Sequence, residues 1–431
     1  MTIDRRTFGQ QALGIVAGAA IVPSTIRSNP ARADQQDPAD IPVAIRALRP
    51  MLDGVVPITA AERGERIERA RRLMRDNGFD AILIEPGTTL GYFTTARWSL
   101  SERSFLFVLP ARGEPAWVAP GFEEERSREQ VGAGADLRLW QEDESPYRLV
   151  AGILRDRGIA TGRLGIESRV RFFVADGVRQ EAGGVTLANA DPVTVGCRMI
   201  KSPNEIALMQ RASDITMAAF RATFTTLHEG MTQTELSRNM SMAQSRLGGA
   251  GTSALVALGA SSAFPHGSVQ PQHLREGDVV LVDAGCSVEG YESDITRTTV
   301  FGRASQRQRD VWDVERRAQT AALAAARIGA PCESVDAAAR KVITDAGFGP
   351  DYRVPGLPHR TGHGIGMDGH EAPNLVRGNT LPMQAGMCFS DEPTIAIYGE
   401  FGIRLEDCFY MTPEGGRFFS AQSPAIDQPL A

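Results

Sequence analysis

The pattern of apolar and polar positions in the first half of the chain predicts strands that alternate with helices. Residues 61–77 carry apolar side chains at helical spacing on one face, and Gly78 follows as a helix stop. A buried strand is expected at residues 80–85 and a second helix at residues 146–157. Further strand-like runs lie at residues 104–109, 116–119 and 163–167. This alternation predicts an α/β domain over residues 34–195.

The second half opens with a clear helix start. Ser202 is expected as the N-cap, Pro203 at the first helical position and Glu205 as the partner of a capping box, and Gly230 is expected to end the helix. Further helices are predicted at residues 305–327 and 335–346, and strands at residues 278–283, 291–301 and 387–391. Helices mixed with antiparallel-looking strands predict an α+β domain over residues 196–431.

Residues 1–33 have the features of a targeting segment. Arg5 and Arg6 precede an apolar run at residues 12–22, and the alanines around Arg32 offer small residues for cleavage. The apolar run is shorter than the ~20 residues of a membrane-spanning helix. These features resemble a twin-arginine export signal that is removed after Ala33, which predicts a periplasmic or exported protein without membrane attachment. The alternative is an N-terminal helix in which the arginines have no targeting role.

Composition narrows the class of protein and its partners. The chain is 42% hydrophobic and 23% charged, which is ordinary for a soluble globular protein. Its formal charge of -6 argues against a nucleic-acid or anionic-membrane partner, because neither attracts an acidic surface. The five cysteines are dispersed without C-x-x-C spacing, so we expect buried thiols rather than a disulfide framework.

Histidines and carboxylates mark the candidate chemistry. Of the six histidines, four fall in short, turn-rich segments: His266, His359, His363 and His370. Four carboxylates lie in or at the ends of strand-like runs: Asp283, Asp294, Glu392 and Glu406. A carboxylate in an apolar strand is costly unless it is paired or bound to a metal. If these four converge, they repel one another unless a cation compensates them.

This donor set favours two metal ions over one. Two ions can share bridging carboxylates, and a pair about 3.5–4 Å apart can activate a water and stabilise a hydrolytic transition state. Oxygen ligands with one imidazole suit manganese, cobalt or zinc better than copper or calcium. We therefore predict two divalent ions, with manganese first and cobalt, zinc or iron as alternatives.

One segment carries a specific resemblance. Residues 359–373, HRTGHGIGMDGHEAP, resemble the signature of proline-specific peptidases of the pita-bread fold, aminopeptidase P and prolidase. Shorter matches occur in the same order on both sides: IKSPNEI, FPHG, VDAG, DITRT, SDEP and GIRLED. The resemblance implies a creatinase/prolidase-like α/β N-terminal domain, an α+β pita-bread catalytic domain and a homodimer.

The resemblance also implies a role for each candidate residue. It assigns the metal ligands to Asp283, Asp294, His363, Glu392 and Glu406. Asp294 and Glu406 are expected to bridge the ions, and a hydroxide between them to attack the scissile carbonyl. Glu392 is also a candidate proton shuttle. The remaining candidates surround the metals: His266 and His370 to hydrogen-bond substrate, His359 to line the pocket, and Arg404 to hold a ligand carboxylate.

Three functions are compatible with these residues. The first is hydrolysis of the Xaa-Pro bond at the N-terminus of peptides or in dipeptides. The second is hydrolysis of a non-peptide amide or another C–N bond, because Gly369 stands before His370 where many proline-specific relatives carry a branched aliphatic residue. The third is an inactive pita-bread module that binds a partner, and the presence of all five ligands argues against it. A small peptide or amide is the expected substrate.

Overall fold

The computed structural model describes residues 41–430, so the predicted export signal at residues 1–33 lies outside the described part of the chain. Within residues 41–430, no helix combines the length and the hydrophobicity that crossing a bilayer requires. Pro42–Ala431 forms one compact unit.

The N-terminal part is built on a six-stranded mixed sheet. Its strands are β1 (Ala81–Ile84), β2 (Leu106–Pro110), β3 (Ala116–Pro120), β4 (Asp136–Trp140), β5 (Gly162–Ile166) and β6 (Val185–Asn189). The order across the sheet is β4-β3-β2-β1-β5-β6. The central strand β1 pairs antiparallel with β2 and parallel with β5. This confirms the predicted α/β character of this part.

Helices cover both faces of this sheet. They are α2 (Ala60–Asp76), α3 (Thr88–Phe93), α4 (Glu124–Val131), α5 (Pro146–Asp156), α6 (Phe172–Glu181) and α7 (Asp191–Arg198), whereas the short α1 (Val43–Arg46) packs against helices of the C-terminal part. Side chains of β1 alternate between the faces, as expected for a strand. Ile82 and Ile84 join the core beneath α2 and α7, whereas Ala81 and Leu83 join the core beneath α5 and α6. A strand that is buried on both faces reads as the continuous apolar run seen in the sequence.

The C-terminal part is an α+β arrangement, as predicted. Its helices are α8 (Pro203–Phe224), α9 (Gln233–Arg246), α10 (Gln306–Ala325) and α11 (Glu333–Asp345). Its strands are β7 (Ala250–Leu258), β8 (Val279–Val288), β9 (Tyr291–Glu292), β10 (Ile295–Val300), β11 (Gly362–Gly364), β12 (Glu371–Leu375), β13 (Cys388–Asp391), β14 (Thr394–Ile397), β15 (Phe401–Arg404), β16 (Asp407–Thr412) and β17 (Gly415–Phe418).

The strands of the C-terminal part form separate antiparallel sheets. One has the order β10-β8-β7 with β9 beside β8, a second has the order β12-β11-β13-β16-β17, and β14 pairs with β15. Helices α8 and α9 pack against β7 and β8. Helices α10 and α11 pack on each other and join a large apolar core with the second sheet. The backbone amide of Glu406 donates to Thr296 O at 3.2 Å, which ties the two larger sheets together where their carboxylates lie.

Three predicted elements differ from the observed ones. Strand β8 extends to Val288, five residues beyond the predicted end at Asp283. Helix α8 has the predicted capping box at Ser202 but ends at Phe224, six residues before Gly230. The predicted strand at residues 291–301 is interrupted between β9 and β10, where the Ser293 amide donates to Cys286 O at 2.9 Å. The interruption leaves Asp294 outside the strand ladder. The five cysteines are all buried and unpaired, which confirms the prediction of buried thiols.

Candidate metal centre

The five predicted ligands converge at one place. Potential ligand atoms lie within 4.8 Å of one another in three overlapping sets: Asp283, Asp294 and Glu406; His363, Glu392 and Glu406; and Asp294, His363 and His370. Glu406 joins the first two sets, and Asp294 joins the first and the third. The donor groups therefore form one continuous cluster.

Regular backbone pairing brings these residues together. Asp283 lies in the middle of β8, opposite Thr296 of β10. Asp294 immediately precedes β10, and Glu406 lies between β15 and β16. On the other side of the cluster, Glu392 directly follows β13, and its amide donates to Thr361 O at 2.8 Å, just ahead of the strand that carries His363. Strands thus fix the Cα position of each donor.

Arg404 connects two of the carboxylates. It is buried, and its Nη2 donates to Asp283 Oδ2 at 2.5 Å. Its Nε donates to Thr296 Oγ1 at 3.1 Å, and that hydroxyl donates to Glu406 Oε2 at 2.7 Å. Arg404 Nη1 also donates to Pro265 O at 3.0 Å. One guanidinium therefore orients two donor groups, directly and through Thr296.

His363 is oriented as a metal ligand would be. The residue is fully buried, and its amide donates to Ser390 Oγ at 3.0 Å. Its Nδ1 lies 3.0 Å from Gly364 O, which favours the proton on Nδ1 and leaves a lone pair on Nε2. Among residues 41–430, Nε2 has no hydrogen-bond partner, although Glu392 Oε1 is 3.2 Å away. A buried ring nitrogen with a free lone pair, beside carboxylates, fits a divalent cation.

The electrostatics of the cluster also fit a cation. Burial, together with the neighbouring carboxylates, raises the pKa of Asp294 and of Glu406 well above their ordinary values. Burial also acts to raise the pKa of Glu392, but His363, His359 and Arg404 outweigh it and lower that pKa to about 2. The cluster therefore carries more negative charge than its own cations balance, and bound divalent ions would reverse the upward shifts.

The other predicted histidines surround a cavity of about 630 Å³ above the cluster. His266 is exposed at its rim. His370 is also exposed, and its ring centroid lies 3.9 Å from that of His363. Burial, with His363 close by, lowers the pKa of His370. His359 lines the cavity and is held by Thr394, whose Oγ1 lies 3.1 Å from His359 Nε2, and burial lowers its pKa.

Arg360 is a cavity residue that the sequence did not single out. A second cavity, of about 300 Å³, reaches toward the N-terminal part and shares Arg360 and His370 with the first. Arg360 is half-buried, and its guanidinium has no hydrogen bond or ion pair with any described residue. Its position directly after the candidate residue His359 is the sequence feature that could have identified it. A free cation between two cavities is suited to an anionic group of a ligand.

Comparison with known proteins gives two family matches. Residues 207–413 match Metallopeptidase family M24, and residues 66–200 match the Creatinase/Prolidase N-terminal domain. An uncharacterized peptidase of Schizosaccharomyces pombe is 35% identical over 379 residues, which cover 83% of this chain and 81% of that protein. The Xaa-Pro dipeptidase of Lactobacillus helveticus is 31% identical over 360 residues, which cover 82% of this chain and 96% of that protein.

Solved structures resemble the whole two-part architecture. Dipeptidase PepE from Mycobacterium ulcerans is 32% identical, with a TM-score of 0.79, and the match covers 85% of this chain and 97% of that chain. A prolidase from Thermococcus sibiricus is 30% identical, with a TM-score of 0.76, over 83% of this chain and 97% of that chain.

Proposed function

This chain belongs to metallopeptidase family M24, and we propose that it hydrolyses the amide bond between an N-terminal residue and proline. Dipeptides are proposed as better substrates than longer peptides. The observation that carries this proposal is that four carboxylates and the free Nε2 of His363 lie in one cluster of overlapping donor sets. Relatives and solved neighbours that are described as Xaa-Pro dipeptidase, dipeptidase or prolidase support the choice of substrate.

The five ligands would hold two divalent ions. These are Asp283, Asp294, His363, Glu392 and Glu406, whose ligand atoms fall in overlapping sets, and the family resemblance implies that Asp294 and Glu406 would be shared between the ions. When bound, such ions lower the pKa of a water and polarise the scissile carbonyl. Manganese is proposed first, and cobalt, zinc and iron are compatible with the same oxygen and imidazole donors.

The chain's own residues supply orientation and proton transfer. Arg404 holds the carboxylate of Asp283, so that its donor oxygens face the cluster. Glu392, next to His363, is proposed to carry a proton toward the leaving nitrogen. His370 is neutral at pH 7 because its pKa is lowered, and it can donate one N–H to the carbonyl oxygen that gains charge. His266 lines the same cavity and is proposed for the same kind of contact.

Arg360 is proposed to bind the C-terminal carboxylate of a dipeptide. In a dipeptide that carboxylate lies one residue beyond the scissile bond, about 3.3–3.6 Å along the chain. Arg360 lines the same cavity as the ligands and has no protein partner to compete with the substrate. A guanidinium pairs with a carboxylate through two parallel hydrogen bonds. A longer peptide would extend past this position, and for that reason dipeptides are proposed as the preferred substrates.

The experiment is a substrate panel with defined metals. Purified protein loaded with manganese is assayed on Xaa-Pro dipeptides, Xaa-Pro tripeptides, dipeptides without proline and N-acyl amides. We expect turnover on Xaa-Pro dipeptides that is lost in His363→Ala, with metal content measured for both proteins. Turnover of other amides without any on Xaa-Pro substrates would overturn the proline specificity.

A second candidate is hydrolysis of another C–N bond on the same metal centre. Gly369 motivates it, because it stands where many proline-specific relatives carry a branched aliphatic residue, and a Cβ built there would meet no atom within 4 Å, so the chain provides no side-chain wall at this position. The same panel distinguishes the two candidates, since a pocket without that wall would accept N-acyl or cyclic amides as well as proline. An inactive binding module is not proposed, because all five ligands converge.

A further inference from the structure

The side chain of His370 does not anchor the chain segment that contains it. No hydrogen bond of the His370 ring to a residue in the described range is found, and the residue is exposed. Gly369 precedes it and has no side chain with which to anchor the loop, and even an added Cβ would touch nothing within 4 Å. The position of this ring over His363 must therefore be fixed by the residues on either side.

Asp368, on one side, is held by residues of the N-terminal part. Its Oδ1 accepts from Thr88 Oγ1 at 2.6 Å. Its Oδ2 accepts from Arg198 Nη2 at 2.6 Å and lies 3.0 Å from Arg169 Nη1. These pairings lower the pKa of Asp368 although burial acts to raise it. The carboxylate is thus ionised and held by three groups.

Glu371, on the other side, is held by the same arginine. Arg198 Nη2 also donates to Glu371 Oε2, and Lys201 Nζ donates to Glu371 Oε1 at 2.5 Å. The side chains of Lys201, Glu371 and Arg198 are only 2%, 7% and 10% exposed. Burial acts to lower the pKa of Arg198, and Glu371 and Asp368 raise it above its ordinary value. Arg198 therefore binds the carboxylates of the residues immediately before and immediately after the pair Gly369 and His370.

Stability alone is a weak reason for such a cluster. Removing several charges from water costs about as much as their mutual attraction returns, and well-packed apolar residues often stabilise a fold equally well. What the ion pairs add is a fixed geometry, because the planar guanidinium sets the directions of both carboxylates. That geometry is needed where a flexible glycine precedes a residue that acts on substrate.

We propose that Arg198 is a positioning residue, which holds Asp368 and Glu371 so that His370 faces the metal cluster. The N-terminal part thereby takes part in the reaction through a residue that does not line the cavity of the metal cluster. The inference rests on the proposed function, in which His370 donates to the carbonyl oxygen that gains charge. A misplacement of a catalytic group by about 1 Å costs on the order of 10²-fold in rate.

A matched control exists in a second buried pair between the same two parts. Arg66 of α2 donates to Glu205 of α8 at 2.9 Å, with side chains 8% and 5% exposed. Arg66 also contacts Tyr92 O and Tyr291 Oη, and it makes no hydrogen bond or ion pair with residues 366–371. Arg66→Met therefore removes a comparable ion pair without releasing the His370 segment.

The experiment is a double-mutant cycle on manganese-loaded protein with the dipeptide Ala-Pro. We expect Arg198→Met to lower kcat by roughly 10- to 100-fold with a smaller change in KM, and Arg198→Lys to recover part of the loss. In a His370→Ala background, Arg198→Met should have little further effect on kcat. Arg66→Met should lower Tm about as much as Arg198→Met and leave kcat near the wild-type value.

Hydrogen exchange gives a readout that does not depend on activity. The amides of residues 366–371 should exchange faster in Arg198→Met than in wild type or Arg66→Met. The inference is overturned if the effects of Arg198→Met and His370→Ala on kcat simply multiply, or if exchange in this segment is unchanged. Absence of Ala-Pro turnover in wild type would instead overturn the proposed function, and the exchange comparison would still decide whether Arg198 holds the segment.

Discussion

Replacement of Arg360 by alanine tests the proposed dipeptide specificity most directly. The guanidinium lines both cavities and has no protein partner in the described part of the chain. Its removal therefore leaves no buried charge unpaired, and the free energy of unfolding should change by no more than about 0.5 kcal/mol. A loss of activity toward one class of substrate can then be assigned to binding rather than to folding.

The size of the effect follows from the exposure of Arg360. A hydrogen bond to a charged group contributes about 1.5–3 kcal/mol when it is shielded from water. Arg360 is half-buried, so solvent screening places its contribution near the lower end of that range. A loss of about 1.5 kcal/mol corresponds to roughly tenfold in kcat/KM.

The assay compares Ala-Pro with its C-terminal amide, which lacks the carboxylate. In wild type, kcat/KM for the free acid should exceed kcat/KM for the amide by about tenfold. Arg360→Ala should lose most of this preference because its kcat/KM for the free acid falls, and Arg360→Lys should keep part of it. Arg353→Ala, at an exposed position of the same loop, is the control for a general effect of charge. An unchanged ratio of acid to amide in Arg360→Ala would refute the assignment of Arg360 to the substrate carboxylate.

Further predictions concern the metal centre and the substrate wall. Burial raises the pKa of Asp294 and of Glu406 in metal-free protein, so both carboxyl groups hold their protons more tightly in the folded than in the unfolded chain. Their contribution to the free energy of unfolding is therefore complete below the pKa of the unfolded chain, near 4, and is lost as the pH rises through the pKa of the folded chain. The Tm difference between manganese-loaded and chelator-treated protein should therefore widen from pH 5 to pH 8, and a constant difference would contradict the raised values. Arg404→Met removes the partner of Asp283 and should weaken metal binding by about 10- to 100-fold in a competition assay with a fluorescent chelator, whereas unchanged affinity would exclude its supporting role. Gly369→Val has open space for its side chain, so Tm should hold, and the added apolar wall, worth about 1 kcal/mol, should raise the ratio of kcat/KM for Ala-Pro over Ala-Ala by roughly fivefold. A fall in that ratio would show that this side of the cavity does not contact proline.

The elements that the sequence predicts well are those whose signals are local. The capping box at Ser202 and the helical periodicity of α2 depend on residues within a few positions of one another, and both helices form as expected. Strand β11 could not be predicted, since its sequence is Gly362-His363-Gly364 and glycine disfavours strands. It forms because β12 and β13 pair with it on either side, and these pairings join residues 7 to 25 positions apart, beyond the reach of a local pattern.

The candidate site divides in the same way. Its donor residues could be identified because acidic side chains in apolar strands are conspicuous in a sequence, whatever their neighbours. The residues that orient them could not be identified, because an ordinary arginine or threonine gains its role only from folding. Arg198 and Asp368 are 170 positions apart, and Thr296 and Glu406 are 110 apart. Arg404 was found early only because it stands two residues before Glu406.

Charge balance gives an independent argument for two ions rather than one. In the ionised state the cluster holds four carboxylates, those of Asp283, Asp294, Glu392 and Glu406, against the single guanidinium of Arg404. One divalent ion would leave a net negative charge in a buried site, which is costly, unless one of the carboxyl groups with a raised pKa stayed protonated. Two divalent ions exceed the negative charge by one unit, and a hydroxide nucleophile brings the site to neutrality. A substrate carboxylate would then be unbalanced unless another cation met it, and Arg360 is the cavity residue that can do so. Two ions and the cationic Arg360 would therefore together balance the charge of the cluster, the hydroxide and the proposed anionic substrate.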